Sequence, residues 1–233
     1  AEVWGTDKTR LFPEGVSLSS QVRICDKDGV KIRLSRRAVL QAMGGPNDQF
    51  SVTDLFGEPV ASLREPGKKA GVARGFLVID NSKNVAITGY GAINGDGYMQ
   101  RVKVTDAFDS DSNGRHRNLL VTRSEDVLIE GIMSQDPGSW NTHIILSKRV
   151  TVRNVKLMNE VQYAPAKGQP NRVNHDNTNT DGFDPDSSTD VLIEDCFGFC
   201  ADDCVAVKTS QYNNLLGELH RVTVRGCVFL TMK

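Results

Sequence analysis

The sequence lacks the features that mark several protein classes. No apolar run approaches the roughly 20 residues of a membrane-spanning helix. Neither charge predominates: 28 basic and 29 acidic residues are mixed along 233 positions, for a net charge of -1. That balance offers no basic stripe to nucleic acid and no cationic face to an anionic membrane. The opening residues Ala1-Glu2-Val3-Trp4-Gly5 have neither a basic n-region nor an apolar h-region, so no signal peptide is read here. A processed secreted protein starts in the same way. The five cysteines (Cys25, Cys196, Cys200, Cys204 and Cys227) fit no zinc spacing, and an odd number cannot all pair within the chain. No metal and no cofactor are expected. Cys200 and Cys204 flank an aspartate pair and could bridge to each other or to Cys227. Cys196 and Cys227 read as small buried apolar residues.

Helical stretches are scarce as well. The spacers between apolar segments are rich in Asn, Asp, Gly and Ser, which leaves no room for the crossover helices of a βαβ fold. Only residues 35–43 read as a short helix, with Ser35 as its N-cap and Gly44 after its end. Leucine is too sparse for leucine-rich repeats. Hairpin signals are too few for a propeller.

What is present is a repeat. A polar pair, an apolar–polar alternation and a closing Gly, Asn or Asp occur in Lys83-Asn84-Val85-Ala86-Ile87-Thr88-Gly89 and in Glu125-Asp126-Val127-Leu128-Ile129-Glu130-Gly131. The pattern returns at Arg149-Val150-Thr151-Val152-Arg153-Asn154, at Thr189-Asp190-Val191-Leu192-Ile193-Glu194-Asp195 and at His220-Arg221-Val222-Thr223-Val224-Arg225-Gly226. The leading valines are Val85, Val127, Val150, Val191 and Val222, at intervals of 42, 23, 41 and 31. One interval is a coil of about 21 residues, two are near twice that, and one allows a longer loop. Such spacing predicts an all-β, right-handed, single-stranded parallel β-helix of about ten short coils, forming one domain over residues 1–233. Alternation puts Val127, Ile129, Val150, Val152, Val191, Ile193, Val222 and Val224 on one inward face. The final segment, Cys227-Val228-Phe229-Leu230-Thr231-Met232-Lys233, reads as a strand without a cap, so further coils are expected beyond it.

Two segments carry the chemistry: Asn179-Thr180-Asp181-Gly182 and Ala201-Asp202-Asp203-Cys204. Asp202 and Asp203 follow Asp181 by 21 and 22 residues, one coil, so three carboxylates crowd together on neighbouring coils. Like charges that close cannot all ionise easily, and at least one pKa should rise. An acid that holds its proton beside ionised carboxylates is what glycoside hydrolysis requires. Adjacent strand residues face opposite ways, so the backbone is expected to bend at Asp202-Asp203 to keep both out of the core. The remaining aspartates, among them Asp109, Asp111, Asp176, Asp184, Asp186 and Asp190, read as ordinary turn residues.

These motifs resemble the polygalacturonases, glycoside hydrolase family 28. The similarity runs from Asn179-Thr180-Asp181-Gly182 through Asp184-Pro185 and Val191-Leu192-Ile193-Glu194-Asp195-Cys196 to Ala201-Asp202-Asp203-Cys204-Val205-Ala206-Val207-Lys208. Upstream, residues 85–95 and Ser139-Trp140-Asn141-Thr142-His143 also match, and the likeness spans about residues 75–229. The family more often has Gly or Gln where Ala201 stands. The resemblance implies a right-handed β-helix that hydrolyses pectic polysaccharide with inversion. It makes Asp202 the general acid, and Asp181 with Asp203 the groups that activate water. The Gly-His-Gly motif expected one coil later is absent: Leu230-Thr231-Met232-Lys233 stands there. The Arg-Ile-Lys motif that grips the sugar carboxylate would lie beyond Lys233.

Asn179, Lys208, Trp140 and His143 are the expected substrate contacts. Trp140 and His143 read equally as a sugar-stacking or subsite pair and as a partly buried aromatic with a hydrogen-bonded loop histidine, and Lys208 as a partner of either an aspartate or the sugar. The polar stretch over residues 164–179 could wall the site, and His220 is expected to cap a strand. The expected partner is a polysaccharide, with no nucleic acid or membrane, bound by a monomer that is secreted or periplasmic. A non-catalytic glycan-binding β-helix is the alternative. A lyase on the same fold would need calcium-binding carboxylates and a basic residue, which the adjacent aspartates fit less well.

Overall fold

The computed structural model describes residues 8–43, 75–97, 116–159, 164–166, 169–174, 180–210 and 217–231. The chain is a right-handed parallel β-helix. Two seven-stranded parallel sheets and one five-stranded parallel sheet form its faces. One coil runs from Glu125–Glu130 in the first sheet through Met133–Gln135 in the second to Thr142–Ile145 in the third. Val85 pairs directly with Val127, Val127 with Val150, Val150 with Val191, and Val191 with Val222. Each interval is therefore a single coil, whatever its length. The described coils number seven, not ten, because the 41- and 42-residue intervals are one long coil each rather than two short ones.

A repeated backbone kink fixes which residues face inward. Asn84, Asp126, Arg149, Asp190 and Arg221 stand at equivalent places in successive strands, all in the left-handed region at φ of 53°, 55°, 52°, 57° and 55°. Asn and Asp enter that region most readily, which accounts for three of the five. Each kink turns the following valine into the interior. Val127, Ile129, Val150, Val152, Val191 and Ile193 are fully buried, as their alternation predicts. Val222 and Val224 stack in register on Val191 and Ile193 as expected, but Val222 is only partly buried against the core and Val224 is 41% exposed. Among the described residues no strand pairs with the far edge of His220–Arg225, so their outer sides lack a covering coil.

Residues 35–43 form no helix. Ala38–Ala42 is a strand between Gly15–Ser19 and Ala92–Asn94, with Ala38, Leu40 and Ala42 buried. The parallel ladder and a two-residue burial period override the helix-forming composition of this segment. The polar stretch after Ala164 is not a plain loop, since Ala164–Ala166 pairs antiparallel with Gln169–Asn174.

Two buried polar columns brace the corners. Asn118 Nδ2 donates to Ser134 Oγ (3.1 Å), Ser134 Oγ to Asn141 Oδ1 (2.7 Å), and Asn141 Nδ2 to Asn159 Oδ1 (2.7 Å). At another corner Ser124, Ser147 and Ser188 each accept the N–H of the serine one coil earlier, beginning from Ser82. Satisfied in this way, buried polar groups fix the register without the penalty of lost hydration. All five cysteines are free. Cys227 Sγ lies beside the Cys196 N–H (3.4 Å), so the bridges considered for Cys200, Cys204 and Cys227 are absent. Among the described residues no helix is long and apolar enough to cross a membrane.

Candidate active site

Asp181 is held by the asparagine column. Asn159 Nδ2 donates to the Thr180 and Asp181 carbonyls at 2.7 and 2.9 Å, and the Asn141 N–H donates to the Asp181 carbonyl at 2.8 Å. The next residue must be glycine, because a Cβ at Gly182 would lie 2.3 Å from the Cys204 carbonyl oxygen. That close approach brings the following coil against Asp181. The Gly182 N–H donates to the Asp203 carbonyl (2.8 Å) and the Phe183 N–H to the Cys204 carbonyl (2.9 Å).

The backbone does bend at the aspartate pair. Regular strand ends with Phe197–Cys200, and parallel pairing resumes at Val205 opposite Phe183. Asp202 is half-buried and Asp203 exposed, and the Asp203 N–H donates to Asp202 Oδ1 (3.1 Å). Asp202 is near enough to Asp181 for its charge to push the Asp181 carboxyl upward.

Lys208 pairs in register with Asp186, but its side chain runs back along the strand. Its Nζ donates to Asp184 Oδ1 (2.6 Å) and Asp181 Oδ2 (3.1 Å) and stands 3.3 Å from the centroid of the Trp140 ring. The Arg117 guanidinium is 4.7 Å from the same ring, and His143 meets it edge-on at 4.8 Å. Trp140, which reads from sequence either as a sugar-stacking face or as a partly buried aromatic, carries the Lys208 ammonium over its ring. Burial raises Asp181 above the usual carboxylate range, with Lys208 opposing and Asp202 reinforcing that rise. Asp184 is raised further, first by burial and then by the charge of Asp181.

His143 is buried and its Nε2 lies 3.2 Å from Asp186 Oδ2. Burial pulls its pKa from 6.5 down to about 4, against the pull of Asp186, so the ring is neutral at neutral pH. The unfolded chain takes up this proton near pH 6.5, whereas the folded chain waits until about 4. Stability is therefore lost as pH falls through that window, by about 3 kcal/mol at roughly 1.4 kcal/mol per unit. His143→Gln keeps a donor for Asp186 but cannot titrate. Urea midpoints measured from pH 7 to pH 4 should fall less steeply for this variant than for the parent, and an unchanged slope would refute the assignment.

Sequence reasoning brought together Asp181, Asp202, Asp203, Lys208, Trp140 and His143, and the register sets them on adjacent coils. Asn179 lies outside the described residues, as do Asp109, Asp111 and Asp176. Asp184 and Asp186 are not turn residues: both are fully buried, one bound to Lys208 and the other to His143. The alternation in Phe183-Asp184-Pro185-Asp186 was the available signal, since it puts both aspartates on one strand face behind a core phenylalanine. Asp190 is not a turn residue either: it stands at the kink of the strand Thr189–Glu194 and pairs with Arg221 at the surface. Among the described residues no group of His, Cys, Asp or Glu is arranged to hold a metal ion.

Fold and site define a parallel β-helix that gathers aspartates from consecutive coils onto one edge. The chain belongs to glycosyl hydrolases family 28, whose model matches residues 41–225. An 86-residue segment is 34% identical to the "Probable polygalacturonase" of Vitis vinifera, covering 37% of this chain and 15% of that protein. Two solved structures share the fold. The family 28 exopolygalacturonase of Yersinia enterocolitica superposes with a TM-score of 0.70 at 15% identity, over 95% of this chain and 43% of that one. The exopolygalacturonase of Thermotoga maritima does so with a TM-score of 0.67 at 17% identity, over 96% and 52%. The chain thus spans about half or less of the length of these relatives.

Proposed function

We propose that this protein is an inverting glycosidase that cleaves pectic polysaccharide, with Asp202 as general acid and Asp181 and Asp203 as the groups that activate water. The observation that carries this reading is the hydrogen-bonded register between Gly182 and Asp203, which stacks Asp181 on the coil beside the aspartate pair. Asp202 gives its proton to the departing glycosidic oxygen as the carbon–oxygen bond breaks. Water, deprotonated by the carboxylates of Asp181 and Asp203, adds to the anomeric carbon from the opposite face. Inverting enzymes keep their carboxyls about 6.5–9.5 Å apart so that this water fits between them. Family membership supports hydrolysis, and the names of the relatives point to galacturonan as the sugar. A single-domain monomer working outside the cytoplasm or in the periplasm fits such a substrate.

The test is release of reducing ends from a panel of polysaccharides, with proton NMR of the first product. Polygalacturonate should be cleaved, and the new reducing end should appear as the β-anomer before mutarotation. An α-anomer at the earliest times would overturn inversion. Cleavage of neutral glycans alone would overturn the pectic substrate.

A further inference from the structure

Resting on that reading, we infer that Lys208 is a positioning residue and not a substrate ligand: its ammonium holds the Asp181 carboxylate charged and in place, with Asp184 as its second anchor. An ammonium has three protons to donate. Here one meets Asp181 Oδ2 (3.1 Å), one meets Asp184 Oδ1 (2.6 Å), and the Trp140 ring covers the remaining side at 3.3 Å from its centroid. The side chain is only 24% exposed. No donor is left for a sugar hydroxyl or carboxylate.

The need for such a residue follows from the site itself. Asp181 is 5% exposed, and a carboxyl so buried resists ionisation. Yet a group that accepts a proton from water must be charged beforehand. The titratable groups around Asp181 are Asp202 and Lys208 from the next coil, the buried Cys200 thiol, and Asp184 in the strand that follows it. Behind Asp184 stand Arg117 and the uncharged His143, the latter bonded to Asp186. Asp202 opposes the charge on Asp181, and Lys208 is the cation in direct contact with it. Asp184 in turn fixes where that cation sits. Its strand alternates with Phe183 in the core, so the carboxylate cannot swing away without moving the interior. The ring of Trp140 closes the arrangement and is attracted to the ammonium over its face.

The experiment measures kcat and kcat/KM on polygalacturonate from pH 3.5 to pH 8 for the full protein and for Lys208→Met, Lys208→Arg, Asp184→Asn and Asp202→Asn. In Lys208→Met the acidic limb should move to higher pH by about one unit, lowering kcat about tenfold on that limb. KM should stay within about twofold, since roughly that margin is well under 1 kcal/mol of lost binding. Lys208→Arg should return the limb most of the way. Asp184→Asn should leave the limb near its parental position, because the amide oxygen still accepts from the ammonium and keeps it beside Asp181. A rise in KM with unmoved limbs would show a substrate ligand and overturn the inference. Loss of activity at every pH with the limb in place, not rescued by arginine, would also overturn it, by showing a merely structural role. Asp202→Asn separates this outcome from the larger question. If that variant keeps parental kcat, the hydrolytic reading itself fails; if it is inactive while the Lys208 variants leave the limb fixed, only the positioning role fails.

Discussion

Asp202→Asn is expected to lower kcat on polygalacturonate by about a hundredfold to ten-thousandfold, the usual contribution of a positioned general acid. Asparagine keeps the size of the side chain and can still accept the Asp203 N–H that Asp202 Oδ1 takes at 3.1 Å. The bend through Ala201-Asp202-Asp203 should therefore survive, and circular dichroism and melting should match the parent. What the variant lacks is a proton to give the departing oxygen. KM should change little, because the loss falls on the transition state. A substrate with an activated leaving group, such as an aryl galacturonide, should regain most of the rate because it leaves without protonation. Parental kcat on the polysaccharide, or equal losses on both substrates, would remove Asp202 from the acid role.

Phe183→Ala should produce the largest change in stability. Phe183 is wholly buried, belongs to the main core and tilts against Phe229 at 6.3 Å between ring centroids. Truncating so large a side chain in a packed interior costs about 3–5 kcal/mol through lost transfer energy and the cavity left behind. Against a total of roughly 5–15 kcal/mol for an ordinary domain, that is a substantial share. The effect should reach the site, since Phe183 is the first residue of the strand that carries Asp184 and Asp186. A lowered urea midpoint together with reduced hydrolysis is the expected pair of results. A shift worth less than about 1 kcal/mol would mean that the interior here relaxes around the gap.

Legibility of the sequence differed by level. The inward valines could be read because a parallel stack imposes the same alternation on every coil, and the kink at Asn84, Asp126 and Asp190 is written in residues that enter left-handed backbone easily. Coil count could not be read from spacing, since Val85–Val127 and Val127–Val150 are each one coil despite lengths of 42 and 23. A solenoid restricts its strands and corners, not the chain between them. Residues 35–43 were misleading for a related reason: Ala38, Leu40 and Gln41 favour helices locally, and only the neighbouring strands make them extended. At the site, the one-coil interval from Asp181 to Asp202-Asp203 was legible, as was the bend that two adjacent acids demand. Asp184 and Asp186 were not, because an aspartate beside proline looks like a turn until its neighbours on the sheet are known. The same holds for Arg117 and Asn159, whose importance comes from contacts with Trp140 and with the Asp181 carbonyl.

The unequal coils have a consequence for how such a chain can vary. In the long connections of the two longest coils, between Asn94 and Arg117 and between Asn159 and Thr180, residues can be gained or lost without shifting the parallel ladders, since strand pairing resumes in the same register. Between Gly182 and Val205 there is no such slack. One residue added within Phe197–Cys200 or Thr189–Glu194 would turn alternate side chains inside out. Length variation is tolerable in the connections and forbidden in the strands. New walls can therefore be tried around an unchanged catalytic edge, with substrate preference changing while the bond-breaking groups keep their places.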